Sequence, residues 1–170
     1  TADHLADPQR TRDLAPGDFT VAEAGGRIVG CVALWDQQAF KQIVVHDLRG
    51  ALARWRPVVN LLGPLAGVPR LPHPGESFQF AYLSHFAVDP ADPELGLALV
   101  AHACNRAHER RYAYVSLGLA ARHPLLAPLK RAWRHIEYRA ILYAVHWDDG
   151  RAAVDALDRS RIPHVEIAIL

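Results

Sequence analysis

Phe80-Ala81-Tyr82-Leu83-Ser84-His85-Phe86-Ala87-Val88, followed by Asp89-Pro90-Ala91-Asp92-Pro93-Glu94-Leu95-Gly96, decides how this chain is read. The first run is apolar, of strand length, and is stopped by Asp-Pro. The second turns into a helix running from Leu97 to Arg111, where Leu97, Val100, Ala101, Cys104, Ala107 and His108 recur at steps of three and four. Tyr112 to Leu119 then alternates in bulk and reads as the next strand. Phe78 to Leu119 is therefore a strand–helix–strand unit. A right-handed crossover would make its two strands parallel. The glycine-bearing helix start offers backbone N–H groups and a helix dipole to an anion such as a phosphate.

Upstream, Phe19 to Ala24 alternates and meets Gly25-Gly26, a hairpin signal, with Arg27 to Asp36 as the return strand. Residues 1–18, with Pro8, Pro16 and Gly17, read as an N-terminal loop or the remnant of upstream elements. Residues 19–170 read as a single domain carrying an insert at 37–77. In that insert Phe40, Val44, Val45, Leu48, Leu52 and Trp55 suggest one or two helices, and Asn60 to Gly75 is rich in Pro and Gly. Downstream, His123-Pro124 opens a short helix, Ala140 to Trp147 reads as a strand, Arg151 to Ser160 as a helix, and Pro163 to Leu170 as a closing strand. The fold class is α/β (α+β), a mixed, mostly antiparallel central sheet flanked by helices.

A length of 170 residues suits one sizeable core, and the net charge of +1 gives no reason to expect nucleic acid or an anionic membrane as partner. The two cysteines, Cys31 and Cys104, form no CxxC pair, which favours a reduced, cytoplasmic setting. The first residues are polar and acidic rather than signal-like, and no apolar run is long enough to span a bilayer. The chain has no methionine, even at position 1, and so reads as a processed or excised piece. Its ten histidines show no metal-ligand spacing; His102 and His108 sit six apart and HExxH is absent, so no metal is expected. GxSxG, GxxxxGK[ST] and GxGxxG are absent too.

The element order, the hairpin Glu23 to Leu34 and the strand end Phe86-Ala87-Val88-Asp89-Pro90 resemble the GCN5-related N-acetyltransferase (GNAT) superfamily. The resemblance covers roughly residues 19–36 and 78–147. It implies an acyl-CoA N-acyltransferase fold with acetyl-CoA wedged between the splayed fourth and fifth strands. Phe86, Ala87 and Val88 would then pair with the pantetheine amides, like an added strand. The pyrophosphate would rest on backbone N–H groups of Leu95, Gly96, Leu97 and Ala98. The family's Gln/Arg-x-x-Gly-x-Gly/Ala loop aligns with Pro93-Glu94-Leu95-Gly96-Leu97-Ala98, where Pro93 departs from the pattern and Asp89, Asp92 and Glu94 add negative charge.

By this resemblance the chain is a transferase, an acetyl-CoA-dependent N-acetyltransferase acting directly on an amine of a small molecule or peptide. His85 is the candidate base; a hydrogen-bonded structural histidine is its bland alternative. Ser84 and Tyr82 share the face of the strand opposite His85. Asp36 either orients an amine or caps its turn. The family's general-acid tyrosine lies on the helix after the fifth strand, where this chain has none; Tyr138 and Tyr143 follow, and Tyr143 is the candidate acid. Arg122 or His123 occupies the place of the family's asparagine. The competing reading is a degenerate, non-catalytic domain serving as a binding or interaction module. A homodimer, or a partner domain in a longer chain, fits either.

Overall fold

The computed structural model describes residues 11–164 and 166–169. Its sheet has four strands in the order β1 (Phe19–Ala24), β2 (Arg27–Trp35), β3 (Phe80–Val88) and β4 (Tyr114–Ser116). The first three are antiparallel, and β3 and β4 are parallel. This is the mixed, mostly antiparallel sheet expected. Gly25 and Gly26 take φ of 57° and 75°, the left-handed pair that a two-residue hairpin turn requires.

Helix α1 (Gly50–Leu62) lies in the insert and buries none of its residues. The ends of the insert are zipped beside the sheet by a Val44–Ser77 bridge and by the Phe78 N–H donating to the Ile43 carbonyl. Phe40 to Leu48 is not helical, because this stretch is drawn out to make those bonds.

Helix α2 (Pro93–Glu109) crosses from β3 to β4. Its buried face is Gly96, Leu99, Val100, Ala103 and Ala107, rotated from the expected stripe centred on Ala101 and Cys104. Small residues form the seam because the helix lies close on the sheet. A Cβ on Gly30 of β2 would sit 2.8 Å from the Leu99 side chain and 3.2 Å from the Ala87 carbonyl. A Cβ on Gly96 would sit 2.8 Å from Leu125. On this side of the sheet Val32, Leu34, Ala81, Leu83 and Phe86 join Leu99, Val100 and Leu125 in the main core. The other side carries a smaller cluster of Trp35, Phe80, Tyr82 and Ala168.

The final third departs from expectation. Helix α3 (Leu126–Ala132) and the short α4 (Arg151–Asp155) are present, but Ala140 to Trp147 is not a strand; it runs exposed between them. The expected closing strand is absent among the described residues: 163–164 have no regular structure and 166–169 form a turn, closed by the Ile169 N–H on the Glu166 carbonyl; Val165 and Leu170 lie outside the described residues, as do residues 1–10 of the expected N-terminal loop. The physical reason is the edge on offer. β4 is three residues long, and Gly118 just beyond it packs directly against Ile167, so the tail covers that edge as a turn. No helix among the described residues is long and apolar enough to cross a membrane.

Candidate functional site

The site begins with a change of parity in β3. Ala81 and Leu83 face the main core, and so do Phe86 and Val88. Strict alternation cannot join an odd pair to an even pair; one extra residue must be inserted. The extra residue is a bulge: Ala33 pairs with Ser84 and Cys31 with Ala87, leaving His85 and Phe86 opposite Val32 alone. His85 takes φ of 51°, a left-handed conformation unusual for a residue other than glycine. Ser84 and His85 therefore end on the same side of the sheet, contrary to the opposite faces that simple alternation implies. The His85 Nδ1 lies 3.0 Å from the Ser84 Oγ, and its ring leans on Phe19 and Trp35.

The bulge is held by the tail. The His85 backbone N–H donates to a Glu166 carboxylate oxygen at 2.6 Å, and the other oxygen accepts from the Ala168 N–H at 3.1 Å. Gln37, buried at the end of β2, donates to the Ala168 carbonyl at 2.8 Å and anchors the same turn.

Beyond Tyr82, β3 and β4 part: their pairing covers Phe80, Ala81 and Tyr82 only. Beside the bulge is a cavity of about 480 Å³. It is lined by His85, Phe86, Ala87 and Val88 of β3, Phe19 of β1, Cys31 of β2, and His123 and His164 from the later segments. Sequence reasoning had four of these residues. It placed His123 only in the neighbourhood of an expected asparagine, and it missed Phe19, Cys31, His164 and Glu166. The polar alternation of His164 and Glu166 within an apolar run was the available signal for the last two.

The three histidines shape the electrostatics. Burial pushes the His85 pKa down; the Glu166 carboxylate opposes this and His164 adds to it. Burial also lowers the pKa of His123, again with His164 adding to the effect. The His123 Nδ1 accepts the Leu125 N–H at 3.2 Å, a bond that only a ring unprotonated at that nitrogen can make. Both imidazoles are therefore neutral bases at neutral pH. The consequence for stability follows from linkage. The unfolded chain takes up these protons near the ordinary histidine pKa, and the folded chain resists them. Their contribution is full above that value and is lost as pH falls through the lower folded values. Thermal unfolding followed between pH 7.5 and pH 5.5 is expected to show a falling Tm, with a shallower fall in His123→Gln. The Glu137 carboxyl, held at about 2 by hydrogen bonds from Arg139 and Lys130, titrates below that window.

The other predicted residues lie elsewhere. Leu95, Gly96, Leu97 and Ala98 form the first turns of α2 and do not line this cavity. Asp92 is the N-cap: its carboxylate accepts the Leu95 N–H at 2.9 Å, while Gly96 donates to the Asp92 carbonyl. Gly96 serves the close approach to Leu125. Tyr143 is exposed on the 140–147 segment, away from His85, and Tyr138 is likewise exposed. Asp36 does cap its turn, accepting the Gln38 N–H at 2.8 Å, and also takes the Tyr112 hydroxyl at 2.7 Å. That bond, after burial, helps push the Tyr112 pKa up to about 12. No metal-holding group of three or more ligands occurs among the described residues.

No family model matches the chain, and no curated protein matches it. Among solved structures it is similar to an aminoglycoside N-acetyltransferase, AAC(6')-Iy, in complex with CoA. That similarity has 15% sequence identity and a TM-score of 0.43, and covers 86% of this chain and 88% of that one.

Proposed function

We propose that this chain is an acetyl-CoA-dependent N-acetyltransferase for an amine of a small molecule or peptide. The observation that carries the reading is the parting of β3 and β4 beyond Tyr82, beside the bulge at His85. Phe86 to Val88 line the cavity and have no pairing with β4, and an amide-bearing arm such as pantetheine would add to a strand left unpaired in this way. Bound there, acetyl-CoA supplies an activated acyl thioester. His85, neutral at neutral pH, would take the proton from the amine as its nitrogen bonds to the acetyl carbon; the thioester C–S bond would break, and the CoA thiolate released would be protonated by the imidazolium. Glu166 holds the bulge that aims the imidazole, and Phe19, Phe86 and Cys31 keep that wall of the cavity largely apolar.

A specific observation favours the second reading, a non-catalytic binding module. The Asp92 carboxylate already occupies the Leu95 N–H, and Glu94 lies in the same first turn, where a pyrophosphate would rest. The two readings part on one titration. Calorimetry with acetyl-CoA and CoA is expected to show saturable binding by both. Thermal shift should register a stabilisation of about 2.7 kcal/mol at a hundredfold excess over the Kd. Silence at millimolar CoA would exclude the enzyme. Asp92→Asn keeps a cap but removes its charge, and is expected to tighten CoA by about two- to fivefold through the helix-terminus field. Unchanged affinity would show that the diphosphate sits away from α2.

A further inference from the structure

The cavity beside the bulge is lined by rings and by no carboxylate. Phe19 and Phe86 both line it, and the Phe19 ring lies against that of His85 with centroids 5.5 Å apart. Cys31 adds a thiol whose pKa burial raises, so it is uncharged at neutral pH. Among the described residues no Asp or Glu is on the wall. Glu166, behind His85, is not a lining residue, and its two oxygens accept backbone N–H groups of His85 at 2.6 Å and Ala168 at 3.1 Å. A volume of about 480 Å³ is that of a small-molecule site. Such a wall has no charge to pair with an ammonium group, and a buried cation without a partner is costly.

We propose, resting on the transferase reading, that the acceptor is an aromatic amine: a flat ring whose nitrogen reaches the cavity uncharged. The proton balance asks for the same acceptor. Transfer forms one N–C bond and breaks one C–S bond, and the nitrogen gives up one proton, which passes through His85 to the thiolate. A neutral amine needs nothing more. An alkylammonium carries one further proton, which must leave before the lone pair can attack. With the lysine amine as guide, only about one alkylamine in a thousand is uncharged at pH 7. Its extra proton calls for a second base. His123 cannot be that base, because its Nδ1 accepts the Leu125 N–H and its Nε2 then carries the ring proton. His164 is exposed, and an imidazole is about four pH units less basic than an alkylamine. An aromatic amine, its lone pair drawn into the ring, arrives without that proton, and its flat body suits the aromatic wall.

The test compares aniline with benzylamine, which share a ring and differ in the charge of the nitrogen at neutral pH. The full chain is supplied with acetyl-CoA, and thiol release is followed. At pH 7 aniline is expected to give a kcat/KM about tenfold or more above that of benzylamine. From pH 7 to pH 8.5 the benzylamine rate should climb about tenfold per pH unit, as its uncharged fraction does, while the aniline rate stays level. Ala87→Asp sets a carboxylate on the wall at an exposed position and should shift the preference toward benzylamine, with circular dichroism to check the fold. Benzylamine acetylated at pH 7 as fast as aniline overturns the proposal. So does acetylation of neither while calorimetry shows CoA bound, or a folded Ala87→Asp protein with the wild-type preference. Those results leave the CoA site standing, whereas an absence of CoA binding removes the transferase reading itself and this acceptor with it.

Discussion

His85→Asn is expected to lower acetyl transfer by about two orders of magnitude or more, with CoA affinity unchanged. Asparagine is the informative replacement because it tolerates the left-handed backbone that His85 adopts at φ 51°. It also keeps a polar group within reach of the Ser84 Oγ. The bulge therefore survives and only the base is removed. The check is acetyl-CoA consumption over a panel of amines, with calorimetry alongside. The variant should also lose the lower limb of the pH–rate profile, which the wild-type imidazole sets below the ordinary histidine value. Equal rates in the two proteins would leave His85 as a ring packed between Phe19 and Trp35. A joint loss of CoA binding and stability would assign it to the bulge alone.

Leu125→Ala is expected to destabilise the fold by about 3 kcal/mol, since Leu125 is fully buried in the main core. Its partner makes the stronger test. Gly96→Ala by itself places a methyl 2.8 Å from the Leu125 side chain, an overpacking that costs about 1–3 kcal/mol, partly offset by about 1 kcal/mol of helix propensity. In the Leu125→Ala background that methyl enters vacated space, so Gly96→Ala should there be neutral or stabilising. Urea denaturation of the four proteins gives the coupling, expected at about 1 kcal/mol or more. Strict additivity would mean that α2 and Leu125 do not touch as described. A loss of CoA binding on placing a large residue at Gly96 would then report the packing of this seam as much as any phosphate contact.

The hairpin and the strand–helix–strand unit were legible because each is specified locally. Gly25-Gly26 demands its turn, and Asp92-Pro93 caps and opens a helix whose small residues recur on one face. The bulge was also written in the sequence, in the change of apolar parity from Ala81 and Leu83 to Phe86 and Val88 across the polar pair Ser84-His85. Alternation read without regard to that change put His85 on the wrong side of the sheet. The region beyond Ala140 was not legible for a different reason. An apolar run states that it needs a partner but does not name one, and the edge of β4 is too short to serve. In the candidate site, the wall from His85 to Val88 came from one strand and could be placed. His123, His164 and Glu166 arrive from remote segments with no motif spacing to join them. The proposed acid, Tyr143, stands on the exposed segment, away from the cavity.

The hydrogen bond from the His85 N–H to Glu166 joins groups 81 residues apart. A contact of that separation closes a long loop, and the turn that makes it is anchored by Gln37 and by Ala168 and Ile167, which pack with Trp35, Phe80 and Tyr82. The geometry of the bulge in the middle of the chain is therefore written partly in its last residues: the backbone of His85 takes its position from a carboxylate that arrives only when the far end of the chain has packed against the sheet.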